Sequence, residues 1–236
     1  MWPAETTRER GTAAEDGRGG RSDARLILAS QSPRRQQLLR EAGFAFEVVL
    51  PPLDDGHLSP GTADPRQWVC ALAYLKAHAA QSLVASGAGG AGRAGIVLGA
   101  DTIVLKGDQI IGKPEDADDA RRTLRTLSDG EHQVITGVAI LPIGKGGGDG
   151  GLRTLWSDSA TVRVGHLSDE RVEAHVASGA WRGKAGGYNI VDQLAYSWPI
   201  TFDGDITTVM GLPMRRLSPW LMRAMDDGGR ARSRAG

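Results

Sequence analysis

Residues 28–35 read Leu-Ala-Ser-Gln-Ser-Pro-Arg-Arg, two hydroxyls and two guanidinium groups set where a short apolar strand over 26–29 turns into a helix. Ser32 suits the N-cap and Pro33 the first helical position. Free backbone N–H groups and the positive dipole end of such a helix favour an anion, and Arg34 and Arg35 would add charge-assisted bonds. Cations at a helix start are otherwise mildly unfavourable, so a phosphate cradle competes here with a solvated arginine pair. Ser30 and Ser32 are hydroxyl donors to the same anion on the first reading and caps on the second.

The next chemical position is Asp101. It follows the uninterrupted apolar run 96–100, expected to be a strand covered on both faces with Asp101 at its C-terminal end. Ligands of open α/β sheets gather at such ends, so Asp101 reads as a metal ligand, a general base or a turn cap. Thr102 stands beside it. Gly112-Lys113-Pro114 offers an ammonium from a glycine-containing turn, but it is not a Walker A loop, because proline replaces the Ser or Thr and the glycine spacing is missing. Lys76, on a helix predicted over 65–83, is either a phosphate ligand or a solvated lysine. Asp54 and Asp55, after Pro51-Pro52, supply adjacent carboxylates of the kind Mg²⁺ or Mn²⁺ accepts beside substrate phosphates, or a turn. The run 183–188, Gly-Lys-Ala-Gly-Gly-Tyr, is a glycine-softened turn with Lys184 or Tyr188 within reach of a ligand, or a purely structural turn.

Other chemistries find no support. Lys plus Arg and Asp plus Glu both total 28 in 236 residues, so no overall positive field points to nucleic acid or a membrane surface, and any anion site must be local. The one cysteine, Cys70, sits in an apolar run and reads as a core thiol, which excludes an internal disulfide. His57, His78, His132, His166 and His175 lack metal-ligand spacing, and no serine sits in a G-x-S-x-G elbow. No stretch approaches the roughly 20 apolar residues of a membrane span, and a cytoplasmic protein is expected.

The elements that must position these residues alternate apolar runs with amphipathic stretches, the pattern of an α/β fold. Strands are predicted over 26–29, 44–50 and 96–100, and a hairpin over 134–143 and 152–164. Helices are predicted from Pro33, over 65–83 with Val69, Leu72, Leu75 and Ala79 inward, over 117–127, 168–176 and 214–225. Residues 85–95 read as a surface connection. The composition implies a disordered extension over 1–24, one domain over 25–225 and a flexible tail over 226–236.

Taken in order, Leu28-Ala29-Ser30-x-Ser32-Pro33-Arg34-Arg35, Gly99-Ala100-Asp101-Thr102, Gly112-Lys113-Pro114, Thr136-Gly137-Val138, Lys184-Ala185-Gly186-Gly187-Tyr188 and Val209-x-Gly211-Leu212-Pro213 resemble the Maf family of nucleotide pyrophosphatases. The resemblance implies two α/β lobes around a long mixed sheet with flanking helices, similar to inosine triphosphate pyrophosphatases, with a nucleotide in the cleft between them. It implies a hydrolase acting on a phosphoric anhydride bond, converting a nucleoside triphosphate to the monophosphate and pyrophosphate with a divalent metal, Mg²⁺ or Mn²⁺. Asp101 would be the proton acceptor and also touch the metal. Asp54 or Asp55 would be the acidic metal ligand. Ser30, Ser32, Arg34, Arg35, Lys76, Thr102, Lys113 and Lys184 would hold the substrate. A homodimer is an expectation of the resemblance alone, and a division-linked regulator that senses nucleotide without turnover is the alternative function. Arg34 and Thr102 match the branch acting on dTTP and UTP. That branch has a base-reading glutamine where Val191 stands here, and Gln193, two residues on, is the displaced amide to consider.

Overall fold

The computed structural model describes residues 25–50, 53, 58–86, 94–144 and 153–233, with side chains described as far as 225. Asp54 and Asp55 and the proposed extension over 1–24 lie outside the described residues. Seven strands make one mixed sheet: β1 (Arg25–Leu28), β2 (Glu47–Val48), β3 (Gly95–Lys106), β4 (Gln109–Ile111), β5 (Gly130–Ile143), β6 (Thr154–Val164) and β7 (Ile200–Asp203). The order is β2-β1-β3-β5-β6-β7, with β4 pairing with β3. β1 runs parallel to β2 and β3, and the other pairings are antiparallel. The helices are α1 (Pro33–Glu41), α2 (Pro65–Ser86), α3 (Ala117–Leu127), α4 (Asp169–Ser178), α5 (Ile190–Ala195), α6 (Ile206–Val209) and α7 (Met214–Ser233). None among the described residues is long and apolar enough to cross a membrane.

Alternation along the strands sorts side chains into layers. Leu26, Leu28, Leu98, Ala100, Val138 and Ile140 meet α1 and α7 through Leu38, Leu39, Leu217 and Leu221. Ile27, Val97, Ala139 and Leu141 point the other way, onto Ala73, Ala77 and Ala80 of α2. Farther along the long strands, Val104, Val134 and Val162 pack against Leu124 of α3, Val172 of α4, Trp181 and Tyr188. Val104 has the same strand parity as Ala100. The two lobes therefore rise from one face of a shared pair, β3 and β5, and a cleft opens between them.

The sheet has a notch, and it corrects the expected position of Asp101. β3 does not end there but continues to Lys106. β1 pairs with β3 only as far as Leu98, and β4 joins the same strand at Val104. Between those two partners β3 has no strand neighbour on that edge among the described residues, and Asp101 stands in the middle of the gap. The chain turns from β1 into α1 at the same place, so the cradle and the carboxylate meet.

α2 is also rotated from its predicted face. Val69, Leu72, Ala73, Ala77 and Ala80 are buried, while Leu75 is 38% exposed. The reason is close approach: a Cβ on Gly99 would stand 2.3 Å from the Ala73 carbonyl oxygen, and one on Gly137 would stand 2.5 Å from that of Val69. A helix resting on bare glycines turns its small residues to the sheet. Of the strand predicted over 44–50 only Glu47–Val48 pairs. The last helix passes the predicted end at Met225 and runs to Ser233, since no proline beyond Pro219 stops it.

Candidate active site

The cleft has a volume of about 820 Å³, within the range of small-molecule sites. Its walls come from the β1–α1 turn, the notch of β3, the turn carrying Lys113, residues 182–192 and residues 209–211. Of the residues named from the sequence, Ser30, Ser32, Arg34, Arg35, Lys76, Asp101, Thr102, Lys113 and Lys184 all line it. The cleft is therefore locally cationic, although the chain as a whole is neutral.

Each cation is placed differently. Arg34 leans across the cleft, its guanidinium 3.9 Å from the Asp192 carboxylate at the start of α5, with 23% of its side chain exposed. Burial lowers its pKa and Asp192 partly offsets that. Lys184 is lowered by burial first and by Arg34 second, with Asp192 opposing, and its ammonium donates to the Ala180 carbonyl. Lys113 sits on a turn fixed to the 3-10 turn Ala185–Gly187 by a 3.0 Å bond from the Gly186 N–H to the Gly112 carbonyl. Gly186 and Gly187 both have φ near +70°, a left-handed conformation that favours glycine, which is why this segment can fold tightly against Lys113's turn. Lys76 reaches from α2 into the notch and pairs with Asp101, the two side chains being 16% and 14% exposed. This short reach depends on the glycine contact between α2 and the sheet.

Arg35 is the exception among the cations. It is 9% exposed and spends its donors on protein: Nε on the Gly211 carbonyl at 2.9 Å, one Nη on the Ala100 carbonyl at 2.8 Å and Ser30 Oγ at 3.2 Å, and the other on Thr102 Oγ1 at 3.0 Å. Ser32 holds the N-cap backbone position without a side-chain cap bond, which leaves its hydroxyl to the cleft rather than to the helix. Of the two ligand candidates on the glycine turn, Tyr188 turns its hydroxyl inward to His132 Nε2 at 2.8 Å, and burial raises its pKa.

The displaced-amide expectation fails. Gln193 is 2% exposed, accepts from the Asn189 N–H and binds His175 Nδ1 at 3.1 Å, so its amide serves the core of the second lobe. Val191 is 42% exposed. Two charged residues of the cleft, Arg182 and Asp192, escaped the sequence reading. Arg182 stacks on Trp181 with its guanidinium carbon 4.6 Å from the ring centroid. Asp192 lies in the first turn of α5, a short helix the sequence reading did not predict. Only the fold reveals that it faces Arg34.

A divalent cation of the Mg²⁺ type accepts one or two carboxylates and completes its shell with phosphate oxygens and water. Asp101, a carboxylate in a cleft otherwise built for phosphate, fits that donor set. Among the described residues no group of three or more His, Cys, Asp or Glu side chains could hold a metal by itself.

Fold and site together define an α/β protein with a cation-lined cleft between two lobes of one mixed sheet. The chain belongs to the family described as Maf-like protein, whose model matches residues 25–224. It is similar to a dTTP/UTP pyrophosphatase of Salinibacter ruber, 40% identical over 203 residues, covering 86% of this chain and 92% of the relative. A dTTP/UTP pyrophosphatase of Chelativorans is 41% identical over 192 residues, 80% of this chain and 86% of the relative. One from Ruminiclostridium cellulolyticum is 33% identical over 196 residues, 83% and 94%.

Proposed function

We propose that this protein is a nucleoside triphosphate pyrophosphatase, a hydrolase that cleaves between the α- and β-phosphates to give the nucleoside monophosphate and pyrophosphate. The observation that carries it is Asp101, a carboxylate set in the notch of the sheet, paired with Lys76, in a cleft that Arg34, Lys113, Arg182 and Lys184 also line. Water attacks the α-phosphorus and gives its proton to the Asp101 carboxylate. The bond from the α-phosphorus to the bridging oxygen breaks, and pyrophosphate leaves with the electron pair. The cations grip the phosphate oxygens and stabilise the charge that grows on the leaving group. Lys76 holds Asp101 in place before substrate arrives and lies beside the same phosphates afterwards. Mg²⁺ or Mn²⁺, held by Asp101 and the phosphates, would supply further neutralisation of the triphosphate.

The named relatives support dTTP and UTP as the leading substrates. Base reading must then use groups other than Gln193, whose amide is committed to the core. The test is purified full-length protein with Mg²⁺ or Mn²⁺ and a panel of ribo- and deoxyribonucleoside triphosphates, with pyrophosphate and monophosphate both measured. Pyrophosphate with an equal amount of monophosphate is expected, led by dTTP and UTP. Silence across the panel, or orthophosphate with a diphosphate, would sink the reading.

A further inference from the structure

Ser30 Oγ, 8% exposed at the cleft wall, accepts two hydrogen bonds, from the Ser32 backbone N–H at 3.2 Å and from an Arg35 Nη at 3.2 Å. A serine hydroxyl has two lone pairs and one proton. With both lone pairs engaged, Ser30 can only donate, and it lines the cleft where phosphate oxygens would accept.

Thr102 is closed by the same logic. Thr136 Oγ1 lies 2.7 Å from the Thr208 carbonyl, which cannot donate, so the Thr136 proton is spent there. The 2.9 Å contact between Thr102 Oγ1 and Thr136 Oγ1 must then run from Thr102 to Thr136. Thr102 in turn accepts from Arg35. A directed chain therefore runs from Arg35 through Thr102 and Thr136 to the Thr208 carbonyl, with Thr136 and Thr208 both fully buried.

We infer that Arg35 is a positioning residue and not a phosphate ligand: four of its N–H bonds clamp the β1–α1 turn to β3 and to residue 211, and fix Ser30 as a one-way donor into the cleft. The clamp joins the cradle to the strand that carries Asp101, because Ala100 and Thr102 flank that carboxylate. Arg34, one residue earlier, reaches across the cleft toward Asp192 and remains the substrate-facing cation. The inference deepens the pyrophosphatase reading and rests on it.

Lysine separates the two roles. An ammonium still serves as a point charge for phosphate, but it cannot span the four acceptors that a planar guanidinium reaches. Wild-type pyrophosphate release is measured first, and its absence counts against the functional reading alone. Given turnover, Ser30→Ala, Arg35→Lys and the double variant are compared by kcat, KM and inhibition by pyrophosphate. The expected result is that each single variant loses about 100- to 1,000-fold in kcat with KM within a fewfold, in line with losing one preorganised donor. The double variant should be no slower than the worse single, since both changes remove one device. Losses that multiply, or an Arg35→Lys protein with near-normal kcat, would overturn the inference, as would a loss confined to KM and pyrophosphate binding. If Arg35→Lys does not fold, Thr102→Val, which removes one acceptor of the clamp at nearly constant volume, completes the same cycle with Ser30→Ala. Non-additive loss supports the clamp there, and multiplicative loss or no loss overturns it.

Discussion

Asp101→Asn removes a charge and a proton acceptor while keeping the shape of the side chain, so its effects on chemistry, binding and stability can be separated. A positioned general base is worth about 100- to 10,000-fold in rate, roughly 3–5 kcal/mol of barrier. That loss should fall on kcat. Binding should move the other way, because Arg34, Lys76, Lys113, Arg182 and Lys184 line the cleft and the variant deletes a negative charge from their midst. A KM equal to or a fewfold below that of wild type is expected in the presence of saturating Mg²⁺. Stability should fall, since the Lys76 and Asp101 side chains are only 16% and 14% exposed and the substitution breaks a largely buried ion pair. The pair opens onto the cleft, so the cost should be about 1–3 kcal/mol, below that of a fully enclosed pair. Pyrophosphate, a new partner for Lys76, should then raise the variant's melting temperature by at least as much as it raises that of wild type. The assay is steady-state kinetics on dTTP or UTP with thermal unfolding, with and without pyrophosphate. A kcat within tenfold of wild type would refute Asp101 as the base, and a sharply raised KM with unchanged kcat would reassign it to substrate binding.

Asp192→Asn should lower KM about two- to fivefold at low salt with little change in kcat, because a 3.9 Å partly exposed pair is weak and its loss frees Arg34 for phosphate; an unchanged or higher KM counts against that competition. His132 has its pKa pushed down to about 4 by burial first and Lys106 second, and its Nδ1 has no hydrogen-bond partner among the described residues. The folded value lies below the unfolded one near 6.5, so the unfolded chain binds the extra proton between them: stability is complete above about pH 6.5 and declines toward pH 4, by about 3 kcal/mol from this group. Chemical denaturation across that range should show the decline in wild type and a flatter profile in His132→Gln; identical slopes would refute the assignment. Gly99→Ala should destabilise by about 1–3 kcal/mol or more, as its Cβ would sit 2.3 Å from the Ala73 carbonyl oxygen, and should also depress kcat by shifting α2 and Lys76 with it. A melting temperature and kcat like those of wild type would show that the helix is not held at that distance.

Legibility followed whether a signal was local or depended on which strands become neighbours. Ser32-Pro33 fixed the start of α1, and apolar runs located most strands and helices, because caps and periodicity act over a few residues. Eight of the nine cleft-lining residues named from the sequence stand in the ordered motifs, whose order carries spatial information that spacing within each motif lacks, while Lys76 stands in none of them. The notch was invisible, because it exists only where β1 stops pairing at Leu98 and β4 begins at Val104, two facts about partners. The sequence therefore ended the strand at Asp101, a reasonable reading of a carboxylate after an apolar run, whereas the sheet exposes that carboxylate by withholding a neighbour. Arg35 shows the same limit in chemistry. Two adjacent arginines look alike as residue types, but successive positions on a helix point about 100° apart, so one reaches across the cleft while the other, at the cleft wall, turns its donors to the body. The body supplies carbonyls from Ala100 and Gly211, 65 and 176 residues away, and those distant acceptors decide what the second guanidinium does. A doubled cation at a helix start can therefore combine a ligand with the clamp that holds the ligand's helix in place.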